Sequence, residues 1–189
     1  HGWRLVVLTK KGCPTATIPV TNPVRAPQCG PWRDQVLARI GEIHPDLVVM
    51  SAYRYNGSDD VSWKAGLDTT LTNLRPLATR VLLLGDTPTP KVDVPSCVAG
   101  HLHDVGNCMS SRTDAIRPGR LTAEFEVARD HDADFITTYD WLCTDQWCPV
   151  VIGDVLVYRD NSHITTTAAA LLTPYIDATV QSLVPATTR

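Results

Sequence analysis

Short, continuously apolar segments separated by helical patterns constrain the fold of this chain more than any other feature. Four such segments occupy residues 5–9, 46–51, 81–86 and 135–140. A strand that is apolar along both faces is typical of a parallel sheet covered on each side by helices. The alternation of these strands with helical segments therefore predicts an α/β fold around a mostly parallel sheet.

The remaining elements are predicted from apolar spacing and from turn residues. Helices are expected over four stretches: residues 32–43, a long helix capped by Asp59 or Asp60 and running through Leu77, about 120–129, and 164–183. Residues 150–158 have the pattern of two short strands around a turn at Gly153 and Asp154. Segments 14–30 and 87–119 are rich in turn residues and are predicted to be mostly loop.

Length, charge and hydropathy exclude several classes of protein. The 189 residues suffice for one well-buried domain, and a net charge of -3 without a Lys/Arg cluster argues against nucleic-acid binding. The apolar runs are far shorter than the ~20 residues that span a bilayer. The chain begins with His and shows no signal peptide, so we expect an excised domain, N-terminally incomplete over 1–189, rather than a native N-terminus.

Six cysteines fall into three local couples in loop-like segments. The couples are Cys13 with Cys29, Cys97 with Cys108, and Cys143 with Cys148. Six cysteines allow 15 connectivities, so the sequence alone leaves the pairing open, and local bridges are the simplest choice. Reduced, buried thiols are the alternative, but this cysteine content favours an oxidising, extracytoplasmic compartment.

Asp160 and His163, three residues apart before the closing helix, are the strongest candidates for catalysis. A neutral imidazole can accept a proton from a hydroxyl, and a neighbouring carboxylate sets its tautomer. Alternatively, the two residues only cap the helix. No Gly-Asp-Ser and no Gly-x-Ser-x-Gly occurs in the chain, and Ser51, Ser58 and Ser62 lack the surroundings of a nucleophile.

Other chemistry-bearing residues favour structural roles. His101 and His103 have a spacing that could suit a metal, but a third ligand is not evident. Trp141 and Trp147 could stack on a sugar ring or pack beside a bridge, and Arg159 could hold an anion or be solvated. No metal or organic cofactor is implied.

Several runs in the right order resemble the SGNH hydrolase-like domain, in the version fused behind bacterial integral-membrane acyltransferases of type 3. They are Asp-Trp-Leu-Cys at 140–143, Cys-Pro-Val-Val-Ile-Gly-Asp at 148–154 and Tyr-Arg-Asp-x-x-His at 158–163. Supporting runs are Thr-Lys-Lys-Gly-Cys-Pro at 9–14, Pro-Asp-Leu-Val-Val-Met-Ser at 45–51 and Leu-Gly-Asp-Thr-Pro at 84–88.

The resemblance implies a three-layer α/β/α sandwich, flavodoxin-like in its sheet, in which His163 is the general base and Asp160 orients it. It also implies an oxyanion donor at Gly12. The usual Gly-x-Asn-Asp block is replaced by Ser-Ala-Tyr-Arg-Tyr-Asn at 51–56, where Arg54 or Asn56 is the expected substitute donor.

The block that carries the family's nucleophilic Ser is missing from the chain. In the family's sheet order, the strand before that Ser lies between the strands that correspond to residues 5–9 and 46–51. We therefore expect a preceding segment or a second chain to supply both the strand and the Ser, because a gapped sheet leaves backbone groups unpaired.

The resulting hypothesis is an acyltransferase or acylesterase domain, tethered to the membrane in the full-length protein and acting on O-acyl groups of an envelope glycan. Its expected partners are an acyl donor, a glycan acceptor and a membrane acyltransferase domain, with no nucleic acid. The alternative is a non-catalytic glycan-binding or positioning module of a membrane acyltransferase.

Overall fold

The chain has a mixed α/β fold with a parallel sheet, as predicted. The computed structural model describes residues 2–53 and 58–184. It divides into two compact units: His1–Asp86, Gly119–Ile136 and Leu183–Arg189 form the first, and Thr87–Pro118 with Thr137–Ser182 form the second.

The first unit contains the parallel sheet. Its strands are β1 (Leu47–Ser51), β2 (Arg80–Leu84) and β4 (Asp134–Ile136), in the order β1-β2-β4. Met50 lies opposite Leu83 in the first pairing, and Leu83 lies opposite Phe135 in the second. The central strand is buried on both faces, which is why its sequence is continuously apolar.

Three helices accompany this sheet: α1 (Ala26–Ile43), α2 (Asp60–Leu74) and α5 (Pro118–Asp130). Asp59 caps α2, since its carboxylate accepts a hydrogen bond from the backbone N–H of Ser62 at 2.7 Å. A 3₁₀ turn at Arg75–Leu77 follows α2. Ile40, Trp63, Leu67, Leu71 and Val127 from these helices pack with Val81 and Leu83 in one core cluster.

The predicted strand over residues 5–9 is wrong. These residues have no strand pairing in the structure, and Leu5 is 86% exposed. Within the described part of the chain, β1 pairs only with β2, so its other edge is open, and Val49 on β1 is 48% exposed. A strand needs a hydrogen-bonding neighbour, and none stands beside residues 5–9 among the described residues.

The second unit is built from short elements and one long helix. It contains α3 (Val94–Gly100), a 3₁₀ turn (Val105–Cys108), β3 (Ser110–Ser111), α4 (Arg112–Ala115), α6 (Tyr139–Leu142), β5 (Trp147–Cys148), β6 (Val151–Ile152), β7 (Val155–Leu156) and α7 (Thr166–Leu183). β3 pairs with β5, and β6 pairs with β7, both antiparallel. Its core groups Val94, Leu142, Val150, Val157 and Leu172 around Tyr158.

Several predicted boundaries change in the structure. The hairpin turn at Gly153 and Asp154 and the closing helix are present where expected. Residues 139–140, predicted as strand, begin α6, and segment 87–119 holds short helices instead of mostly loop. Helix α1 begins at Ala26, inside the segment predicted to be loop.

All three disulfide bridges join the predicted partners. They link Cys13 with Cys29, Cys97 with Cys108, and Cys143 with Cys148. The first ties the N-terminal loop to the first turn of α1, and the other two close loops of the second unit. Across residues 2–53 and 58–184, no helix combines the length and the apolar character needed to span a membrane.

Candidate catalytic site

The loop that carries Asp160 and His163 is closed at its base by backbone pairing. Tyr158 and Ile164 form an antiparallel bridge, and the Arg159 backbone N–H donates to the His163 carbonyl at 2.9 Å. Tyr158 is buried, and its hydroxyl donates to the Pro88 carbonyl at 2.7 Å. The loop therefore starts from an anchored residue of the second unit.

Thr165, and not Asp160 or His163, caps the closing helix. The Thr165 hydroxyl accepts a hydrogen bond from the Ala168 N–H at 3.0 Å and donates to the Leu156 carbonyl at 2.7 Å. The alternative that Asp160 and His163 serve only as helix caps is therefore wrong. The Asp160 and His163 side chains instead contact each other.

The Asp160 carboxylate is held by several donors at once. One oxygen, Oδ1, accepts from the backbone N–H groups of His163 at 2.7 Å and Ser162 at 2.8 Å, and from the Ser162 hydroxyl at 3.2 Å. The other, Oδ2, lies 2.8 Å from His163 Nδ1. The His163 backbone N–H, followed by the Ser162 N–H and the imidazole, holds the pKa of Asp160 far below its usual range.

This geometry determines which nitrogen of the His163 ring can act as a base. An ionised carboxylate beside Nδ1 keeps the proton on that nitrogen, which leaves Nε2 as the basic atom. The His163 side chain is 63% exposed, so an incoming hydroxyl can reach it. Arg159 Nε is 3.9 Å from Asp160 Oδ2 and is itself exposed, which makes it a weak third partner.

The predicted oxyanion residues lie in the first unit or outside the described residues. Gly12 sits in an exposed turn at φ +77°, a left-handed backbone conformation that favours glycine. Arg54 and Asn56 both lie outside the described residues. Their roles stay predictions.

Two of the candidate serines, Ser62 and Ser51, occupy structural positions in the first unit. Ser62 donates from both its N–H and its hydroxyl to Asp59, which assigns it to the helix cap. Ser51 is the last residue of β1. In the second unit, Ser162 contacts Asp160 and lies 3.3 Å from His163 Nδ1, the nitrogen already committed to the carboxylate.

His101 lies beside a disulfide bridge and not in a metal site. Its Nδ1 is 2.9 Å from the Cys97 carbonyl and 3.8 and 4.0 Å from the sulfurs of Cys97 and Cys108. These three residues are close enough to surround an ion. The two sulfurs are bonded to each other, however, and a disulfide offers no thiolate to a metal.

The aromatic candidates pack within the second unit. Trp141 stacks on Tyr175 of α7, with ring centroids 5.3 Å apart and an interplanar angle of 22°. Trp147 lies in β5, next to the bridge between Cys143 and Cys148, and is partly exposed. Trp141 is thus engaged by a protein side chain, and Trp147 presents the more open ring.

Sequence reasoning missed two features that involve ionisable groups. Ser162 holds Asp160, a role that its position between Asp160 and His163 could have suggested. A buried cluster around Glu124 in the first unit joins residues about 60 positions apart. Only the placement of Arg120 and Glu124 one helical turn apart gave any local signal.

Comparison with known proteins identifies a family and a solved structure of similar fold. The family model described as "SGNH domain (fused to AT3 domains)" matches residues 1–178, which include parts of both units. No curated protein gives a significant match to the chain.

A solved structure, the periplasmic domain of a lipopolysaccharide acetyltransferase from Salmonella ser. Paratyphi A, is similar in fold. The TM-score is 0.72 at 13% sequence identity, over 89% of this chain and 69% of that chain. At this identity the similarity is one of fold.

Proposed function

Because the chain belongs to the SGNH domains that are fused to AT3 domains, we propose that it handles acyl esters through a Ser-His-Asp triad. His163 is the general base of this triad, and Asp160 orients it. Membership of a family associated with acyltransferases supports an acyl-related function. The observation that carries the proposal is the 2.8 Å contact between His163 Nδ1 and an Asp160 carboxylate fixed by two backbone N–H groups.

In the proposed reaction, His163 Nε2 takes the proton of the Ser hydroxyl as its oxygen attacks the ester carbonyl. The imidazolium then returns that proton to the departing alcohol, and the acyl group remains on the Ser. A sugar hydroxyl or water next attacks the acyl-enzyme and gives its proton to His163. The imidazolium then returns this proton to the Ser oxygen as the acyl–Ser bond breaks. Asp160, whose pKa lies well below its usual range, stays ionised and stabilises the imidazolium in both steps.

The nucleophilic Ser is proposed to come from a segment outside residues 1–189, after a strand that pairs with the open edge of β1. Two features support this. Within the described chain β1 has a neighbour only on the β2 side, and apolar Leu5, Val7 and Val49 are exposed. Pairing on the open edge would satisfy the N–H and C=O groups of β1 that point away from β2.

That strand can be tested by hydrogen exchange on the protein with its preceding segment and on the 189-residue chain. We expect the amides of Leu47–Ser51 to gain protection when the preceding segment is present. The amides of β2 serve as the internal control. Equal protection of β1 in both samples would contradict the added strand.

The substrate is proposed to be an O-acylated or acceptor glycan of the cell envelope. The three disulfide bridges support an oxidising, extracytoplasmic location, because such bridges are rare in reducing compartments. A membrane acyltransferase domain in the same protein is the proposed source of the acyl group, in line with the fusion named for this family.

Labelling with a serine-directed fluorophosphonate tests the triad. In the complete protein we expect one labelled Ser, in a segment outside residues 1–189, and labelling that falls strongly in His163→Ala. His131→Ala is the matched control and should label normally. A protein that transfers acyl groups without being labelled would contradict the triad.

A second candidate function is a non-catalytic glycan-binding or positioning module. The replacement of the usual Gly-x-Asn-Asp block by residues 51–56 and the absence of Gly-Asp-Ser from the chain favour it. The native sequence directly before His1 separates the two functions. A Gly-Asp-Ser there supports the enzyme, and its absence supports the module.

A further inference from the structure

A buried acid in the first unit has no part in the proposed triad. Glu124 of α5 is only 8% exposed, and Arg120, one helical turn earlier, is 5% exposed. Both side chains reach Trp63 in the first turn of α2. The Trp63 indole Nε1 donates to Glu124 Oε1 at 3.1 Å, and the Arg120 guanidinium carbon lies 4.2 Å from the centre of the Trp63 ring.

Arg120 also donates hydrogen bonds to the Asp60 carboxylate and to a backbone carbonyl just before α2. Its Nε donates to Asp60 Oδ1 at 3.1 Å, and its Nη2 donates to the Ser58 carbonyl at 3.3 Å. Gly119 permits this approach, since a Cβ there would lie 2.4 Å from Asp60 Oδ2. The N-terminal turn of α5 thus holds the N-terminal turn of α2 through one guanidinium.

Arg120 and two other acids act electrostatically on Glu124. Asp60 and Glu124 flank the Arg120 guanidinium, and Asp86, just beyond the carboxyl end of β2, acts on Glu124 through space. Burial raises the pKa of Glu124 to about 7. Arg120 and the hydrogen bond from Trp63 lower the pKa of Glu124, whereas Asp86 and Asp60 raise it further.

We propose that Arg120 and Glu124 are positioning residues that hold the first turn of α2 near the carboxyl end of the sheet, and that they hold it most tightly when Glu124 carries a proton. A neutral carboxyl group still accepts the Trp63 hydrogen bond. Protonation removes a buried negative charge that is repelled by Asp86 and Asp60. Ligand sites in parallel α/β sheets gather at this end of the strands, which makes the position of α2 relevant to function.

The expected pH dependence follows from the direction of the shift. In the unfolded turn Glu124 ionises near its ordinary value of about 4.5, and in the folded turn it ionises near 7. The folded turn therefore binds more protons between these values, and its stabilisation is complete below the lower value. It is lost progressively as the pH rises through about 7.

Hydrogen exchange of the intact protein, read on peptides that contain Ser62 and Trp63, tests this inference. Between pH 6 and pH 8.5 we expect the wild-type protection factor, corrected for intrinsic exchange, to fall by about tenfold. In Glu124→Gln, which keeps an acceptor for Trp63, protection should not change with pH. Peptides from β2 report whether the variants are folded.

Glu126→Gln is the matched control, because it removes the same charge from the same helix. Glu126 is partly exposed and pairs with Lys64 of α2 at 2.5 Å. Its variant should keep the wild-type pH response. A pH-independent wild type, or equal loss of the response in both glutamine variants, would overturn the proposal.

Arg120→Lys tests the two guanidinium hydrogen bonds separately from the positive charge. Lysine keeps the positive charge but cannot reproduce the planar fork that reaches both Asp60 and the Ser58 carbonyl. We expect a loss of protection at Ser62 and Trp63 at every pH, with β2 unaffected, and unchanged protection would contradict the role of Arg120. Because these measurements do not use turnover, a failure of the proposed acyl chemistry leaves them interpretable.

Discussion

Among the described residues, a His–Asp pair lies in each unit of the molecule, and the two pairs have the same contact distance. In the second unit His163 Nδ1 lies 2.8 Å from Asp160, and in the first unit His131 Nε2 lies 2.8 Å from Asp68. Distance alone would rank them equally. Their surroundings separate them.

The difference lies in how the carboxylate is held and which ring nitrogen it engages. Asp160 accepts two backbone N–H groups in addition to the imidazole, and the bonded nitrogen is Nδ1. His131 bonds through Nε2, is only 18% exposed, and follows the last turn of α5, where it links that helix to α2. A fixed carboxylate and an accessible Nε2 therefore distinguish a candidate base from a structural link.

The largest expected effect separates the two histidines. His163→Ala in the complete protein should lower acyl-ester turnover by roughly 10³-fold or more, because the members of a triad act as a unit. His131→Ala should leave turnover within about twofold and lower the free energy of unfolding by about 0.2–1 kcal/mol. Kinetics and denaturant unfolding measure both. Comparable losses of turnover in the two variants would remove the distinction.

The carboxylates should differ in the same way. Asp160→Asn is expected to lower turnover by roughly 10²–10⁴-fold, since an amide can stabilise the wrong tautomer of His163. Asp68→Asn changes the same atoms at an exposed site and should leave the rate near that of the wild type. Steady-state rates of the two variants provide the measurement. An Asp160→Asn enzyme with normal turnover would show that the carboxylate does not assist His163.

A smaller effect is expected from the hydroxyl of Ser162. Ser162→Ala removes the 3.2 Å hydrogen bond to Asp160 Oδ1 but keeps the backbone N–H bond at 2.8 Å. We expect turnover to fall by less than about tenfold, because the net contribution of one partly buried hydrogen bond is about 0.5–1.5 kcal/mol. Full loss of turnover in this variant would give Ser162 a more direct role than the geometry indicates.

The smallest effect concerns the acid stability of the loop. The pKa of Asp160 is depressed in the folded protein, so its stabilising contribution is present above its ordinary value of about 4 and is lost only as the pH falls through the folded value. The Ser162 and His163 amides should therefore stay protected at pH 4 and lose protection well below it. In Asp160→Asn their protection should be low at both pH values. Amide exchange measured by NMR distinguishes these outcomes.

Features with a local cause were predictable from the sequence. The apolar β2, the Asp59 cap, the turn at Gly153 and the local cysteine pairs each depend on neighbours along the chain. The Asp160–His163 contact belongs to the same class, since its spacing already brings the two side chains together.

Features that depend on residues far apart in the sequence could not be predicted from the local pattern. Residues 5–9 are as apolar as β2, but a strand also requires a neighbour, which local pattern does not report. The prolines of segment 14–30 suggested a loop, although Pro27 lies in the first turn of α1, where its missing N–H costs nothing. The contact between Trp63 and Glu124 spans 61 positions and has no local signature.

The loop closed by Tyr158 and Ile164 aligns its catalytic side chains through its own local hydrogen bonds. The hydrogen bonds that align Asp160 with His163 join residues 159–163 to one another. Thr165 connects this loop to Leu156 through its hydroxyl. Substitutions elsewhere should therefore leave this alignment intact as long as the contacts of Tyr158 with Pro88 and of Thr165 with Leu156 are kept. Grafted onto another pair of anchoring strand and helix ends, these few residues should rebuild the same imidazole orientation.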